Sequence, residues 1–231
     1  MISIAKAVGT GVASASIFVP DKRLSIVLAS SEEEAKQFFG VRDQVFVKEC
    51  KWETKDTEKD KWDNFSSFGL VTFEGDPVGA VRLIHNAQSL PSWGLRNLLS
   101  VPRGMEVWNT GELSRFCYSK EWIACFDRPA RRVLSEQLKA HLLKASLELT
   151  AKAGIQYWIM LVKSCFRDSL AVKMGGILSV VGNPVEHKGT RLPCCAHVRT
   201  YSEMMWQQEE YRHLWEFLTD NGTLMSRIPS D

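Results

Sequence analysis

The sequence predicts a single α/β domain, a mixed sheet flanked by helices. Three observations predict it. Strand-like and helix-like stretches follow one another in the order β-α-β-β-β-α-β-α-β-β-α. The run Tyr157–Val162 is apolar throughout, as a central strand covered on both faces requires. The 231 residues, 45% apolar and 24% charged, contain no repeat, low-complexity segment or convincing linker.

The elements follow in order. Arg23–Ala29 reads as a strand. Ser30-Ser31 before Glu32-Glu33-Glu34 is a helix start, with acids where the helix dipole favours them. That helix runs to about Val47. Residues 51–65 are highly charged and read as a solvated loop. Ser67–Phe73 and Val78–Ile84, separated by Glu74-Gly75-Asp76-Pro77, predict an antiparallel hairpin. Residues 87–105 are mostly connection, with a short helix around Leu95–Leu99. Glu112–Tyr118 is the next strand. Asp127 and Pro129 open a long helix, in which Leu134, Leu138, Leu142, Ala145 and Leu149 recur at helical spacing, and Gly154 stops it. After the Tyr157–Val162 strand come a helix Cys165–Met174 closed by Gly175-Gly176, strands Ile177–Val181 and Cys195–Thr200, and a C-terminal helix over 202–219.

Composition excludes several classes. A net charge of +2 gives little support to bulk nucleic-acid binding. Eight tryptophans and eleven phenylalanines point to large apolar surfaces, with room for a lined cavity. None of the six cysteines forms a C-x-x-C pair, so reduced thiols and a cytoplasmic location are expected. The mildly apolar start is interrupted by glycines and serines and reads as an arm or an added strand, not a secretory signal. No run is long enough to span a membrane. No histidine pair has the spacing of a helical zinc site, and no G-x-S-x-G elbow occurs, so no metal is expected.

Four constellations stand out. Arg42 and Phe46 lie four apart on one helix face, with Trp52 beyond. On spacing alone this is a packed aromatic with a solvated arginine. Glu58, Asp60 and Asp63 surround Trp62, and lack the length and glycine of a calcium loop. By composition they are an exposed charged turn. In Glu112-Leu113-Ser114-Arg115-Phe116, regular alternation puts Glu112, Ser114 and Phe116 on one face and Leu113 and Arg115 on the other. Both charges are costly to bury unpaired. Arg128, Arg131 and Arg132 sit at the start of the long helix, where anionic groups are favoured, but no phosphate loop accompanies them.

Taken together and in this order, the motifs resemble the acyl-homoserine lactone synthases. Arg42-x-x-Val45-Phe46 with Trp52 is similar to that family's R-x-x-V-F…W motif. Glu58-x-Asp60-x-x-Asp63 is similar to its E-x-D-x-x-D motif. Gly79-Ala80-Val81-Arg82-Leu83 is similar to its G-x-x-R-L strand, and Glu112–Phe116 to its E-x-S-R-F strand. The matches cover about residues 24–120. The segment Gly182–Pro193 also resembles part of the related N-acyl amino acid synthases and exosortase-associated acyltransferases. The acetyl-CoA loop of ordinary acetyltransferases is absent, its place being taken by Trp122–Arg132 without a glycine.

The resemblance implies one GNAT-like acyl-CoA N-acyltransferase domain over 23–201, with a mixed, mostly antiparallel sheet flanked by helices. An arm precedes it over 1–22, and a helical extension over 202–231 packs on the same domain. A bulge is expected in the Glu112 strand, which would alter its alternation. The implied reaction is amide formation from an acyl thioester and an amine. Glu112 is the implied base. Arg42, Phe46, Trp52, Asp60, Asp63, Arg82 and Arg115 shape the acceptor site. Ser114, Phe116, Trp158, Met160 and Val162 meet the acyl chain. The acceptor implied first is S-adenosylmethionine, giving an acyl-homoserine lactone; an amino acid acceptor, or a non-catalytic acyl-carrier-binding relative, is the alternative. The donor is an acyl carrier protein or coenzyme A thioester, with Lys120, Arg128, Arg131 and Arg132 as a docking surface for the acidic carrier. Both substrates come and go; no cofactor is permanently bound.

Overall fold

The structure is a computed structural model that describes residues 18–54, 59–86, 88, 90–92, 100–175 and 178–230. The strands are Leu24–Leu28 (β1), Ser66–Phe73 (β2), Asp76–Ile84 (β3), Thr110–Tyr118 (β4), Tyr157–Val162 (β5), Ser179–Val180 (β6), Val185–Glu186 (β7) and Thr190–His197 (β8). They form one sheet ordered β1-β2-β3-β4-β5-β8-β6, with β7 also paired to β8. The β4–β5 pair is parallel and the rest are antiparallel. This is the mixed, mostly antiparallel sheet of the expected fold.

The helices are Glu32–Arg42 (α1), Lys120–Ala124 (α2), Arg128–Ala153 (α3), Ser164–Met174 (α4), Val198–Trp206 (α5) and Arg212–Thr219 (α6). Local chemistry sets their ends. Ser31 and Glu34 close a reciprocal capping box on α1. Asp127 caps α3, whose first turn holds Pro129, and Gly154 ends it in left-handed backbone at φ 67°. One sheet face packs on α3, with Val81, Leu83, Leu113, Trp158, Met160 and Leu138 in the main core. The other face packs on α1 through Phe38, Val41, Phe46, Leu70 and Cys117. The six cysteines are free thiols.

Two expectations are corrected. The last long strand begins at Thr190 and ends at His197, so residues 198–200 are helical. Pro193 inside it lacks a ladder donor, which is why the sequence reads as loop there. The C-terminal helix is two helices, parted at Gln207–Tyr211. Residues 202–230 lie against α3, where Lys144 Nζ donates to the Phe217 carbonyl at 2.7 Å and pairs with Asp220. The helix expected near Leu95–Leu99 and the Ile177 end of the next strand lie outside the described residues. Among the described residues no helix is long and apolar enough to cross a membrane.

Candidate active site

The two central strands part where the motif residues gather. β4 pairs with β5 only from Thr110 to Glu112, opposite Tyr157–Ile159. Beyond that, β4 follows β3 to Tyr118 and β5 follows β8 to Val162. A wedge opens between them, and the Phe116 and Phe166 rings meet there at 5.2 Å.

A bulge lies on the β4 side of that wedge. Between the pairs Arg82–Ser114 and Ala80–Cys117, Arg115 and Phe116 stand opposite the single Val81. Arg115 takes left-handed backbone, φ 56°, which is uncommon away from glycine. The bulge corrects the regular-alternation reading. Leu113 points into the main core, while Arg115 joins the ion network on the opposite face.

That network draws on four segments. α1 runs into a wider helical turn at Asp43–Glu49, in which Cys50 N–H reaches back to the Val45 carbonyl. Arg42, fully buried, donates to Asp63 at 2.8 Å. Arg82 donates to the same Asp63 oxygen at 2.6 Å, to Asp60 at 2.8 Å and through Nε to Ser114 Oγ at 2.9 Å. Arg115 pairs with Glu53 at 2.5 Å and with Asp60 at 3.2 Å, and lies 5.1 Å from the Phe46 ring centre. Trp52 N–H bonds the Phe46 carbonyl, and the two rings are 6.0 Å apart. Asp60 and Asp63 also cap each other across the short turn Lys61–Phe65.

The charged loop is therefore not simply solvated, because Glu53 and Asp63 side chains are 4% and 9% exposed. Their charge is offset by arginines from distant strands, which composition cannot reveal. Glu58 lies outside the described residues. Burial pushes the Asp60 carboxyl up, but the hydrogen bond and charge of Arg82 outweigh it, so the net shift is downward.

Glu112 has a different environment. It is 6% exposed, and its Oε2 accepts the Ser92 backbone N–H at 2.8 Å. Burial pushes its pKa up to about 7, opposed by the Ser92 hydrogen bonds and by the charge of Arg82. It shares a sheet face with Arg82 and Ser114, on the pairs Ile84–Glu112 and Arg82–Ser114. A carboxyl that titrates near neutrality beside a wedge is suited to moving a proton.

The remaining sequence candidates sit elsewhere. Trp158, Met160 and Val162 are buried on the α3 face, and the Trp158 indole donates to Thr150 Oγ1 at 2.7 Å. Lys120, Arg128, Arg131 and Arg132 are exposed, around α2 and the start of α3. Arg131 is turned back onto the Phe126 and Ala124 carbonyls, at 2.5 and 2.7 Å. Sequence reasoning missed Glu53, Ser92, Lys163, Lys188 and Arg191. Lys188 reaches Glu53 at 2.6 Å across 135 positions, and no local pattern announces such a contact.

No protein-family model matches the sequence, and no curated protein matches it in sequence. Solved structures do match it. BjaI, a CoA-dependent acyl-homoserine lactone synthase solved with SAM and isopentyl-CoA, is 18% identical over 87% of each chain, with a TM-score of 0.56. TofI, solved in a ternary complex with an inhibitor and MTA, is 21% identical over 75% of this chain and 89% of its own, at 0.53. FeeM, an N-acyl amino acid synthase from uncultured soil microbes, is 11% identical over 79% of this chain and 94% of its own, at 0.51. At such identities the likeness establishes architecture, and the chain has the fold shared by these acyl-homoserine lactone synthases and the N-acyl amino acid synthase.

Proposed function

We propose that the protein is an N-acyltransferase that moves a fatty acyl group from a thioester to an amine. The observation that carries this reading is Glu112, a buried carboxyl with a pKa of about 7 at the point where β4 and β5 part. An amine must lose a proton before it attacks. Glu112 takes that proton, directly or through a water. The new C–N bond forms first, giving a tetrahedral oxyanion; its collapse breaks the C–S bond, and the departing thiolate takes up the proton that Glu112 removed from the amine. A backbone N–H at the Arg115 bulge supplies the donor that the tetrahedral oxyanion needs.

The acceptor proposed first is S-adenosylmethionine: once its amine is acylated, its own carboxylate attacks the γ-carbon, the sulfonium C–S bond breaks, methylthioadenosine leaves, and an acyl-homoserine lactone results. Asp60 and Glu53 beside the Phe46 and Trp52 rings suit its sulfonium. Arg42, Asp63, Arg82 and Arg115 hold these groups in place. An amino acid acceptor is the second reading, favoured by the cations that the β7–β8 hairpin adds near Trp52. The acyl chain enters between the parted strands along Ser114 and Phe116, toward Trp158, Met160 and Val162. The reading is tested by expressing the protein in a host without its own autoinducer synthase and analysing the organic extract by mass spectrometry. Acylated species bearing a homoserine-lactone fragment are expected. Acylated amino acids without the lactone transfer the site to the second reading.

The donor proposed is an acyl carrier protein or coenzyme A thioester. Arg128 and Arg132, with Lys120, form the docking surface; Arg131 is occupied by its carbonyl contacts. An Arg128→Ala/Arg132→Ala double variant is expected to raise the apparent KM for a carrier-bound donor by about tenfold, the worth of two surface charge contacts. The KM for a small thioester donor is expected to stay constant. Equal rises for both donors reject docking.

A further inference from the structure

The cations that the β7–β8 hairpin adds near Trp52 have no assigned role in the acyl transfer itself. Its tip is built to reach. Lys188 and Gly189 both take left-handed backbone, at φ 53° and 90°. This conformation is unfavourable for lysine. It accompanies the Lys188–Glu53 ion pair, which ties the hairpin to the loop that follows α1.

A group of cations surrounds Trp52, whose ring is 40% exposed. The Arg191 guanidinium lies 5.5 Å from the ring centre, and the Lys163 ammonium 5.4 Å from it. Lys188 and Arg115 share the single carboxylate Glu53. Among the described residues neither Arg191 nor Lys163 has a carboxylate within ion-pair distance. Lys163, Lys188 and Arg191 thus have one acid among them, Glu53, which Arg115 also uses. The His187 imidazole registers the excess. Burial lowers its pKa first, and then the charges of Lys188, Arg191 and Arg115 lower it further.

Arg191 is the most telling member. It is 7% exposed. One amino group donates to the Lys188 carbonyl at 2.9 Å. The other, Nη1, is buried with no hydrogen-bond partner. A buried guanidinium N–H without an acceptor is costly, and such groups in native proteins call for a missing partner. Gly189 leaves room beside it, since even a Cβ there would stand 3.8 Å from Nη1.

We propose that Arg191, Lys163 and Lys188, gathered around Trp52, form an anion subsite that takes the carboxylate of the amine acceptor. The choice of the acceptor follows from the sheet. Leu192 pairs with Val162, which lies in the α3-side core. Arg191, one residue away, points to the opposite face, which carries Glu112, Ser114 and Arg82. Arg115 connects the two regions, pairing with Glu53 beside Lys188 and with Asp60 beside Arg82. An acceptor anchored there by its carboxylate presents its amine toward Glu112. The proposal rests on the N-acyltransfer reading and adds the requirement that the acceptor be an amino acid or amino-acid derivative with a free carboxylate.

Calorimetry without donor tests it. The probes are S-adenosylmethionine and the common amino acids, followed by the carboxyl-blocked form, ester or amide, of whichever binds. Blocking the carboxylate is expected to weaken binding at least about tenfold, the worth of one charge-assisted contact. Arg191→Met and Lys163→Met are each expected to weaken the free acid by about tenfold and leave the blocked form unchanged. Lys163 is exposed, so its variant folds even where loss of the buried Arg191 charge disturbs the hairpin. Equal binding of free and blocked forms, or no binding of any free acid, overturns the proposal. So do variants that raise only the KM of the thioester donor, which would assign the cations to a donor phosphate. Carboxylate-dependent binding without acyl transfer keeps the subsite and removes the acyltransfer reading. Acyl transfer to a carboxyl-blocked amine at an unchanged KM does the reverse.

Discussion

A Glu112→Gln variant keeps its fold and loses about 10²–10⁴-fold in turnover, the usual worth of a positioned general base. The amide retains an oxygen to accept the Ser92 N–H, so the local geometry survives. What disappears is the ability to take a proton from the amine. The parent's pH profile carries the same signature. With a carboxyl pKa of about 7, the basic form grows through neutrality, so kcat/KM rises with pH and levels off above the pKa. The variant has no such limb. A flat parent profile across neutrality, or unchanged turnover in the variant, removes Glu112 from the chemistry.

The same shift predicts stability. In the unfolded chain a glutamate titrates near 4.5, against about 7 in the folded protein. At pH 4 both states hold the proton, and Glu112 contributes nothing to the balance. Between the two values the folded state binds more protons, so stability falls as pH rises. Above pH 7 the loss approaches about 3 kcal/mol. Glutamine stays neutral throughout. Chemical denaturation is therefore expected to give the variant a higher midpoint than the parent at pH 8 and an equal one at pH 4.

Much of this fold is written locally. Asp127, Pro129 and Gly154 bound α3 because capping and backbone conformation act within a few residues. The Glu74–Pro77 turn and the apolar β5 run are equally local. The site is less legible, because its geometry depends on two irregularities. The wide turn at Asp43–Glu49 continues α1 without any residue that breaks a helical pattern. The bulge at Arg115 reverses the alternation that would have sent Arg115 toward α3. The motif residues were identifiable by resemblance, but their pairing was not: Asp63 faces both Arg42 and Arg82 only once α1, β3 and the 59–65 turn have packed. Glu53, Lys188 and Arg191 are further removed still. Glu53 lies in a segment that reads as a solvated loop, Lys188 and Arg191 in one that lies between two predicted strands, and only the crossing of the β7–β8 hairpin to Trp52 brings them together.

An Asp63→Asn variant is expected to lose about 3–5 kcal/mol of stability, the usual cost of removing one partner of a buried ion pair. Asp63 Oδ1 receives both Arg42 and Arg82, and Oδ2 receives the Asp60 N–H. Arg82 keeps Asp60, whereas the fully buried Arg42 loses the carboxylate that it faces at 2.8 Å. Domains of this kind are stable by about 5–15 kcal/mol, so a large part of the total is at stake. An exposed pair gives the contrast. Lys36 and Glu32 are 63% and 86% exposed, and Lys36→Gln is expected to cost less than about 1 kcal/mol. Denaturant midpoints measure both. A double variant decides whether the charge pair, rather than the shape of either side chain, is responsible. Arg42→Met removes the Arg42 charge and fills the same space against Phe38 and Phe39, whose rings lie 5.4 and 5.2 Å from the guanidinium. Combined with Asp63→Asn it should cost less than the sum of the two single changes, because both single changes break the same Arg42–Asp63 contact and the double change breaks it only once. Strict additivity would mean that Arg42 and Asp63 contribute independently and that the network is held by packing alone.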